Sequence, residues 1–347
     1  LGMNQFMIRP KDSLNNYFLY VFLVCKYGCL LLEQRITGAV PLSIDKESVR
    51  SVPVPVLKNE FQKIIQKLVE KYFTLSNQGK NLYYQAEQLL LSELGLLDWK
   101  PEHTLAFVKN FLDTEESNRF DAEYFQPKYE EIIEAVKKYK GGFDELGNLV
   151  KVKKSVEPGS EAYQESGVPF VRVSNLSKFE LSTNNQQFIS EELYNKLKTH
   201  QPKKGEILLS KDATPGMAYF LNEDPQKMIV SGGILRLKMD SKQILPEYLT
   251  LVLNSVIVQK QIERDAGGSI INHWRPDQVK ATLIPVFKDD KQKKIKKLVE
   301  KSFNDRKLSK SLLEIAKQGV EMAIEKDEQE AEKWIRNEIE KLGVKIQ

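Results

Sequence analysis

The chain has 347 residues, of which 41% are hydrophobic and 29% are charged, so it is long enough for roughly two or three globular domains. This composition excludes an intrinsically disordered chain. The formal net charge of +4 permits a polyanionic partner such as a nucleic acid, but it does not require one.

The first predicted elements occupy residues 1–57. Residues 5–10 ("QFMIRP") alternate like a strand. Residues 13–32 predict a core helix, because the apolar run 17–32 is too short for a membrane span and Lys26 interrupts it. Cys25 and Cys29 are expected to be buried, reduced thiols, and with no visible signal peptide this predicts a cytoplasmic protein. Residues 49–57 ("VRSVPVPVL") predict a short edge strand because of their prolines.

A long helix follows, with its domain limits set at residues 58–97. Its apolar residues step by alternating fours and threes, which is the pattern of a coiled-coil seam. The predicted seam residues are Phe61, Ile65, Leu68, Tyr72, Leu75, Leu82 and Leu89. Residues 98–118 are interpreted as a connector.

A complete mixed domain is predicted for residues 119–287. Short apolar runs such as "VPFVRVSNL" alternate with Gly, Pro and Asn turns, and clear helices are expected only at 191–199 and 246–266. A second long helix, from about residue 289 to 341 within the segment 288–347, repeats the seam less cleanly. Its predicted interface residues are Ile295, Leu298, Leu312 and Ala316. We expect an α+β protein whose two long helices pair antiparallel as a coiled coil.

An internal repeat relates the two halves. "KLVEK" occurs at residues 67–71 and again at 297–301, an offset of 230. The same gapless shift places Pro55-Val56 on Pro285-Val286 and Gln62-Lys63 on Gln292-Lys293, and matches continue over about seventy residues. The chain therefore carries two copies of one unit.

The repeat leads to a family resemblance. "RFDAEYFQPKYEEI" (119–132), "VPFVRVSNLS" (168–177), "GSIINHWRPDQVKATLIPVF" (268–287) and "GAVPLSIDKESVRSVPVPVL" (38–57) resemble segments of the specificity subunits of type I restriction–modification systems. The resemblance implies two target-recognition domains that each read half of an interrupted double-stranded DNA sequence. It also implies long helices that dock methyltransferase subunits, which recruit the motor-nuclease subunit, and it implies no catalysis and no cofactor.

One departure concerns the first copy. If the second domain begins near residue 117, its equivalent would begin at position −113 (117 − 230). The first recognition domain, residues 1–57, is therefore expected to lack its N-terminal part and not to read DNA alone.

Readers of DNA need cations for phosphates and polar side chains for base edges. The candidates lie in three loop stretches and at the start of the last helix. They are Arg172, Ser174, Asn175, Lys178, Ser210, Lys211, Thr214, Ser269, Asn272, His273, Trp274, Arg275, Lys293 and Lys294. The plainer alternative has Trp274 in the core and Arg275 in solvent, and the basic run of the last helix as a solvated face.

Two other functions remain open. A coiled-coil adaptor would bind proteins and not nucleic acid. A Mg²⁺-dependent nuclease would use Asp277, Asp289, Asp290 and Lys291, but copy one lacks this set, and the paired aspartates also suit a helix N-terminus. No methyltransferase or phosphate-binding motif occurs, and the three histidines are scattered singly, so no metal site is predicted.

Overall fold

The computed structural model describes residues 5–11, 13–39, 42–266 and 273–345. Its α-helices are α1 (Asn16–Val24), α2 (Lys26–Glu33), α3 (Lys46–Arg50), α4 (Asn59–Glu93), α5 (Phe111–Ser117), α6 (Pro127–Lys137), α7 (Leu146–Leu149), α8 (Glu191–Leu197), α9 (Pro246–Asn254), α10 (Val256–Asp265), α11 (Pro276–Ala281), α12 (Asp289–Glu325) and α13 (Glu328–Lys341). Its strands are β1 (Phe143–Glu145), β2 (Val150–Lys153), β3 (Val168–Val171), β4 (Gln187–Ile189), β5 (Glu206–Ser210), β6 (Ala218–Phe220), β7 (Ile229–Val230), β8 (Ile234–Met239) and β9 (Leu283–Pro285). The predicted α+β class is confirmed.

The chain forms two compact units. Unit 1 contains Leu1–Asn81 and Lys301–Gln347, and unit 2 contains Leu82–Glu300. The division falls inside both long helices, α4 and α12, and not at helix ends. The domain borders drawn from the sequence at residues 57, 97, 118 and 287 therefore stay predictions.

Antiparallel contacts join the parts of α4 and α12 that lie in unit 1. The Ser302 hydroxyl donates to the Gly79 carbonyl oxygen (2.6 Å), and the Ser309 hydroxyl donates to the Tyr72 carbonyl oxygen (3.1 Å). The contact on α4 moves back by seven residues as α12 advances by seven, so these helix segments run in opposite directions. The core of the unit adds apolar residues from α1 and α13, such as Phe18 and Ile335.

The predicted seam is displaced at its far end. Seven of its residues are buried: Phe61, Ile65, Leu68, Leu75, Ile295, Leu312 and Ala316. Three others are half-buried: Tyr72, Leu82 and Leu298. Leu89 was predicted wrongly, because it is 42% exposed while Tyr83, Ala86 and Leu90 are buried. A straight helix drifts by about 20° per heptad from a strict seven-residue repeat. From Gly79 to Leu90 the buried positions of α4 accordingly follow an eleven-residue spacing and not a seven-residue one.

The described residues of unit 2 form three small sheets. The order of the four-stranded antiparallel sheet is β2-β8-β5-β6, and the order of the three-stranded sheet is β4-β3-β7, with β3 and β7 parallel. β1 and β9 form a separate antiparallel pair. Helices α6, α9 and α10 pack around them, and Tyr248 on α9 donates from its buried hydroxyl to the Pro285 carbonyl oxygen of β9 (2.8 Å).

The internal repeat is confirmed in the helices. α9, α10, α11 and α12 begin 230 residues after α1, α2, α3 and α4 respectively. A buried glutamine makes the same contacts in each copy. In unit 1, Gln62 Oε1 accepts from Asn15 N (2.8 Å) and Gln62 Nε2 donates to Leu57 O (2.8 Å). In unit 2, Gln292 makes the same two bonds, at 2.8 and 2.7 Å, with the residues 230 positions further on.

We expect Gln62→Ala to destabilise the protein by about 1–2 kcal/mol, because a half-buried main-chain N–H and a half-buried carbonyl lose their partner. Gln292→Ala should cost a similar amount, since its bonds are equivalent. Urea unfolding measures both effects. Gln78→Ala, at an exposed position of α4, is the matched control and should stay near the wild-type value. Equal stabilities of Gln62→Ala and the control would contradict a structural role for the paired glutamines.

The two strands predicted in copy one are wrong. Residues 5–10 have no regular structure, residues 46–50 form α3, and residues 51–58 are irregular apart from one turn residue. The equivalent of residues 53–55 in copy two is β9, which is a strand because β1 pairs with it. Within the described ranges, residues 53–55 have no such partner, and an isolated extended segment is not stable as a strand.

The predicted long helices are broken in three places. Helix 13–32 is two helices bent by 69° at Cys25, and helix 246–266 is interrupted at Ser255 in the same way. Cys25 is buried but Cys29 is exposed, contrary to expectation. In the described part of the chain, no single helix is long and apolar enough to cross a membrane; the bent pair passes by length and composition only when both members are counted together.

The last predicted helix, 289–341, also ends early. α12 stops at Glu325, and α13 starts after Asp327, whose carboxylate accepts from Glu330 N (2.8 Å). A straight helix would hold Gly319 and Ile335 about 24 Å apart. Instead, Ile335 Cδ1 lies only 2.5 Å from where a Cβ on Gly319 would be. α13 therefore folds back onto α12, and residues 288–347 are not one helix.

Candidate nucleic-acid interface

Three loops of unit 2 leave the same end of its sheets, and residues 273–275 join them through contacts with Lys211 and Asp212. β3 and β7 are parallel and end at Val171 and Val230, while β5 ends at Ser210 opposite Ile234, the first residue of β8. Ser231 N donates to Val171 O (2.9 Å), which ties two of these ends together. Residues 172–175, 211–216, 231–233 and 273–275 thus meet, and we call them the loop cluster.

Gly233 lies at the centre of the loop cluster. Its carbonyl accepts from Lys211 N (2.9 Å). A Cβ at Gly233 would lie 2.9 Å from Val173 Cγ2 and 3.5 Å from Asp212 Cβ. Because a side chain here would push the Val173 loop away, the close approach of these loops depends on glycine.

Asp212 links the hairpin after β5 to residues 273–275. Asp212 Oδ1 lies 2.8 Å from His273 Nδ1, and the Lys211 ammonium contacts the other carboxylate oxygen. Trp274 N donates to Lys211 O (2.8 Å). Burial tends to raise the pKa of the Asp212 carboxyl group, but the hydrogen bonds from Lys211 and His273 outweigh it and hold the pKa below its usual value.

This shift gives a pH-dependent prediction. A carboxyl group whose pKa is lowered by folding stabilises the protein above its unfolded pKa, about 3.9, and this contribution is lost as pH falls through the folded pKa. Asp212→Asn should therefore be less stable than the wild type at pH 7, and the gap should shrink at pH 3. Paired urea unfolding curves at the two pH values measure it. A gap that is the same at both values would contradict the assignment.

Three candidates from the sequence are buried and position the loops. Asn175 is 1% exposed and uses its amide to accept from Arg172 N and donate to Asn184 O. Ser210 is fully buried and donates to Thr214 O (2.6 Å). Trp274 is 1% exposed, so its ring packs in the core. These side chains cannot meet a base edge without unfolding the loop, and their expected contact with DNA is corrected on that ground.

The remaining candidates of the loop cluster reach the surface. Ser174 and Thr214 are exposed, and the side chains of His273 and Arg275 are 59% and 67% exposed. Arg275 pairs with the equally exposed Asp277 (3.1 Å). Arg172 is half-buried and donates from Nη2 to the Asn185 carbonyl oxygen (2.7 Å). Two further candidates, Ser269 and Asn272, lie outside the described residues.

Three predicted cations belong to other surfaces of unit 2. Lys178 Nζ lies 5.0 Å from the ring centroid of Tyr83 on α4 and 5.1 Å from that of Phe179. Lys293 pairs with Asp289 one turn earlier on α12 (2.5 Å), and Lys294 is exposed on the same helix. The loop cluster therefore unites only part of the predicted set.

Two features of the loop cluster escaped the sequence analysis. Residues 231–233 ("SGG") drew no prediction, although two successive glycines between strands indicate a close backbone approach. Ala213 has a φ of +61°, a left-handed conformation that costs a non-glycine residue about 1–2 kcal/mol. Only coordinates reveal such strain, which is typical of functional loops.

The nuclease arrangement finds no support. Lys291 pairs with Glu93 on α4, Asp277 pairs with Arg275, and Asp289 pairs with Lys293. Each of these three side chains therefore pairs with a residue outside the set that would hold one Mg²⁺ ion. Over the ranges given above, no group of three or more His, Cys, Asp or Glu side chains is placed to hold a metal.

Comparisons with known proteins give one matching family model and several similar solved structures. The family model described as type I restriction modification DNA specificity domain matches residues 111–317. The chain is similar to the S subunit of a type I restriction–modification system from M. genitalium, with 16% identity and a TM-score of 0.43 over 88% of this chain and 71% of that one. It is also similar to the HsdS subunit from Thermoanaerobacter tengcongensis, with 14% identity and a TM-score of 0.36 over 90% and 70% of the two chains. No curated protein matches the sequence.

Proposed function

Because the chain belongs to the family of type I restriction–modification DNA specificity domains, we propose that unit 2 reads one half of a bipartite DNA sequence through the loop cluster. The observation that carries this proposal is the convergence of separate polar loops at one end of the sheets. Ser174, Thr214, His273 and Arg275 present exposed donors and acceptors there. All four lie within the segment that matches the family.

These side chains differ in which part of DNA they can contact. Hydroxyl and imidazole groups such as those of Thr214 and His273 can form hydrogen bonds with base edges, and Arg275 can reach either a guanine edge or a phosphate. Buried Asn175, Ser210 and Trp274 hold the loops in place for that contact. Lys293 and Lys294 lie on α12, on a different surface of unit 2, and are proposed to contact phosphates there.

The proposed protein partners are methyltransferase subunits and, through them, the motor-nuclease subunit. Support comes from an exposed apolar stretch in unit 2 that includes α5. Leu105 and Val108 are each 95% exposed, and Phe111 and Leu112 are 67% and 66% exposed. Exposed apolar patches of this kind mark protein-binding surfaces. Leu105→Asp with Val108→Asp should prevent co-purification with the methyltransferase subunit, whereas Lys100→Asp should not.

The proposal assigns no catalysis and no cofactor to this chain, and it places the protein in the cytoplasm, where free thiols and host DNA are found together. Unit 1, which carries the first copy of the repeat, is proposed to belong to the other reader. The purified chain should neither cleave nor methylate DNA in the presence of Mg²⁺ or a methyl donor. Cleavage or methylation of DNA by the purified chain would contradict this part of the proposal if a substitution in the chain abolished that activity.

Salt-dependent binding of duplex DNA tests the proposal. The full chain is titrated into fluorescent duplex at several salt concentrations, with unlabelled competitors of different sequence. We expect affinity to fall steeply with salt and some competitors to be preferred. Absence of binding at low salt would favour a protein-binding adaptor, and so would binding that ignores sequence.

A further inference from the structure

Unit 1 shows how the start of one long helix holds a carboxylate. Lys58 directly precedes α4, and Glu328 is the first residue of α13. The Lys58 main-chain N–H donates to Glu328 Oε1 (2.8 Å), and Lys58 Nζ lies 3.6 Å from Glu328 Oε2. The carboxylate is also favourable there because the first N–H groups of a helix carry partial positive charge. The start of α4 is thus closed by an acidic helix.

The internal repeat gives the equivalent position in unit 2. A shift of 230 places Lys58 on Lys288, which directly precedes α12. Within the described ranges, neither the main-chain N–H nor the ammonium group of Lys288 has a protein acceptor. Lys288 instead lines an open cavity of about 780 Å³, together with the start of α12, the end of α4, the end of α6 and the turn after α6. The position that holds a carboxylate in unit 1 is therefore open in unit 2.

The chain after α4 does not take the path that α13 takes after α12. The equivalents of α13 are residues 98–111, and none of these described residues lines the cavity. Gly95 has a φ of +68°, a left-handed conformation that glycine adopts without strain, and it turns the chain at the end of α4. Thr104 is then held beside α6, because the Gln126 side chain accepts from Thr104 N (3.0 Å) and donates to Thr104 O (3.1 Å). The counterpart of α13 in this half of the chain is thus fixed elsewhere in unit 2.

Lysines dominate the cavity. Four lysines and two carboxylates line it: Lys138, Lys140, Lys288, Lys291, Glu93 and Asp290. Lys291 pairs with Glu93, and Lys138 pairs with Glu134. Lys140 and Lys288 are exposed, and neither has an acidic partner in the part of the chain that the structure describes. Two ammonium groups are therefore available to bind an anionic partner.

The lining matches a peptide better than DNA. Glu93 and Asp290 would repel the DNA backbone, in which every phosphate is anionic, whereas a peptide can place a cation beside Asp290. Leu94 and Tyr139 add apolar surface that suits the carbon atoms of side chains. α13 itself has this mixed character, because residues 327–342 carry six carboxylates and three cations. The equivalent contact in unit 1 is likewise made by a carboxylate.

We propose that this cavity binds the first turn of an acidic helix that belongs to a partner protein. A carboxylate in that turn accepts from the Lys288 main-chain N–H and pairs with the Lys288 ammonium group, as Glu328 does with Lys58 in unit 1. A second carboxylate pairs with Lys140. Leu105 and Val108 do not line the cavity, so this surface is distinct from the exposed apolar stretch of unit 2. The inference goes beyond DNA recognition and does not depend on it.

A fluorescently labelled peptide of residues 326–342 ("KDEQEAEKWIRNEIEKL") serves as the probe, because it contains the carboxylate that contacts Lys58 in unit 1. Fluorescence anisotropy with the full chain should show saturable binding. We expect Lys140→Glu with Lys288→Glu to weaken this binding by about tenfold or more, since each reversal replaces an attractive contact with a repulsive one. A peptide carrying Glu328→Gln should bind the unaltered chain more weakly. Both lysines are exposed, so urea unfolding of the double variant should match the wild type.

The matched control is Lys204→Glu with Lys242→Glu, which changes the net charge equally at two exposed lysines of unit 2 outside the cavity. It should bind the peptide as the wild type does, and so should Lys58→Glu. Loss of binding in Lys58→Glu but not in the cavity variant would mean that the peptide displaces α13 in unit 1, which overturns the proposal. The absence of saturable binding would also overturn it. So would a cavity variant that binds the peptide normally but binds unrelated duplex DNA more weakly, since the cavity would then hold phosphate.

Discussion

Gly79→Leu is expected to lower the free energy of unfolding by about 3 kcal/mol, the largest stability effect of any single change considered for unit 1. A Cβ at position 79 would lie 2.9 Å from Arg306 Cγ and 3.0 Å from the Ser302 carbonyl oxygen. A leucine would force α4 and α12 apart and break the bond from the Ser302 hydroxyl to the Gly79 carbonyl. The better helix propensity of leucine offsets only about 1 kcal/mol of this cost.

The control for this prediction is Gln78→Leu, which changes the residue immediately before Gly79 on the same helix. Gln78 is exposed, so the new side chain meets solvent and not α12. Urea unfolding should show a small change for Gln78→Leu and a large loss for Gly79→Leu. Equal stability of the two variants would mean that α4 and α12 do not pack closely at this position.

Arg275→Glu is expected to weaken DNA binding by about tenfold to a hundredfold, which is the largest functional effect. The Arg275 guanidinium is 67% exposed, and its contact with Asp277 is equally exposed. Charge reversal therefore costs the fold little, but it places two carboxylates where phosphate or a base edge would lie. The affinity of the full chain for duplex DNA, measured across salt concentrations, should fall and lose about one unit of salt dependence.

Lys333→Glu makes the same change in net charge at an exposed position of α13 in unit 1. It should leave DNA affinity within about twofold of the wild type if long-range charge is screened. A similar loss in both variants would show that net charge, and not the loop cluster, governs binding. Unchanged affinity of Arg275→Glu would remove Arg275 from the proposed interface.

Sequence reasoning predicted local and repeated features well. The offset of 230 located the two long helices that pair. Their amphipathic spacing and the matching positions of Gln62 and Gln292 can both be read from the sequence alone. The heptad phase failed at Leu89, where a straight helix departs from a strict seven-residue period. The strand predicted within residues 49–57 is absent at residues 53–55 of the described chain. A strand needs a neighbouring strand to pair with, and the strand-like residue pattern does not show whether one is present.

The assembly of the loop cluster depended on tertiary information. Nothing local indicates that β3 pairs in parallel with β7, yet that pairing brings Val173 against Gly233, which also lies beside Asp212. Burial also decided which candidates can touch a ligand. Trp274 and Arg275 are adjacent, and the sequence alone made both of them candidate DNA contacts. Trp274 is 1% exposed, whereas the Arg275 side chain lies at the surface.

The loop cluster is proposed to select the DNA sequence that the chain binds. Selection of bound duplexes from a randomised pool, followed by sequencing, tests it most directly for the wild-type chain and for Thr214→Ala with His273→Ala. We expect the wild type to enrich one short defined sequence. We expect the double variant to bind at low salt but to lose its preference at one or more positions of that sequence. A pool with no enriched sequence would contradict this proposal, and so would a double variant that selects the same sequence as the wild type.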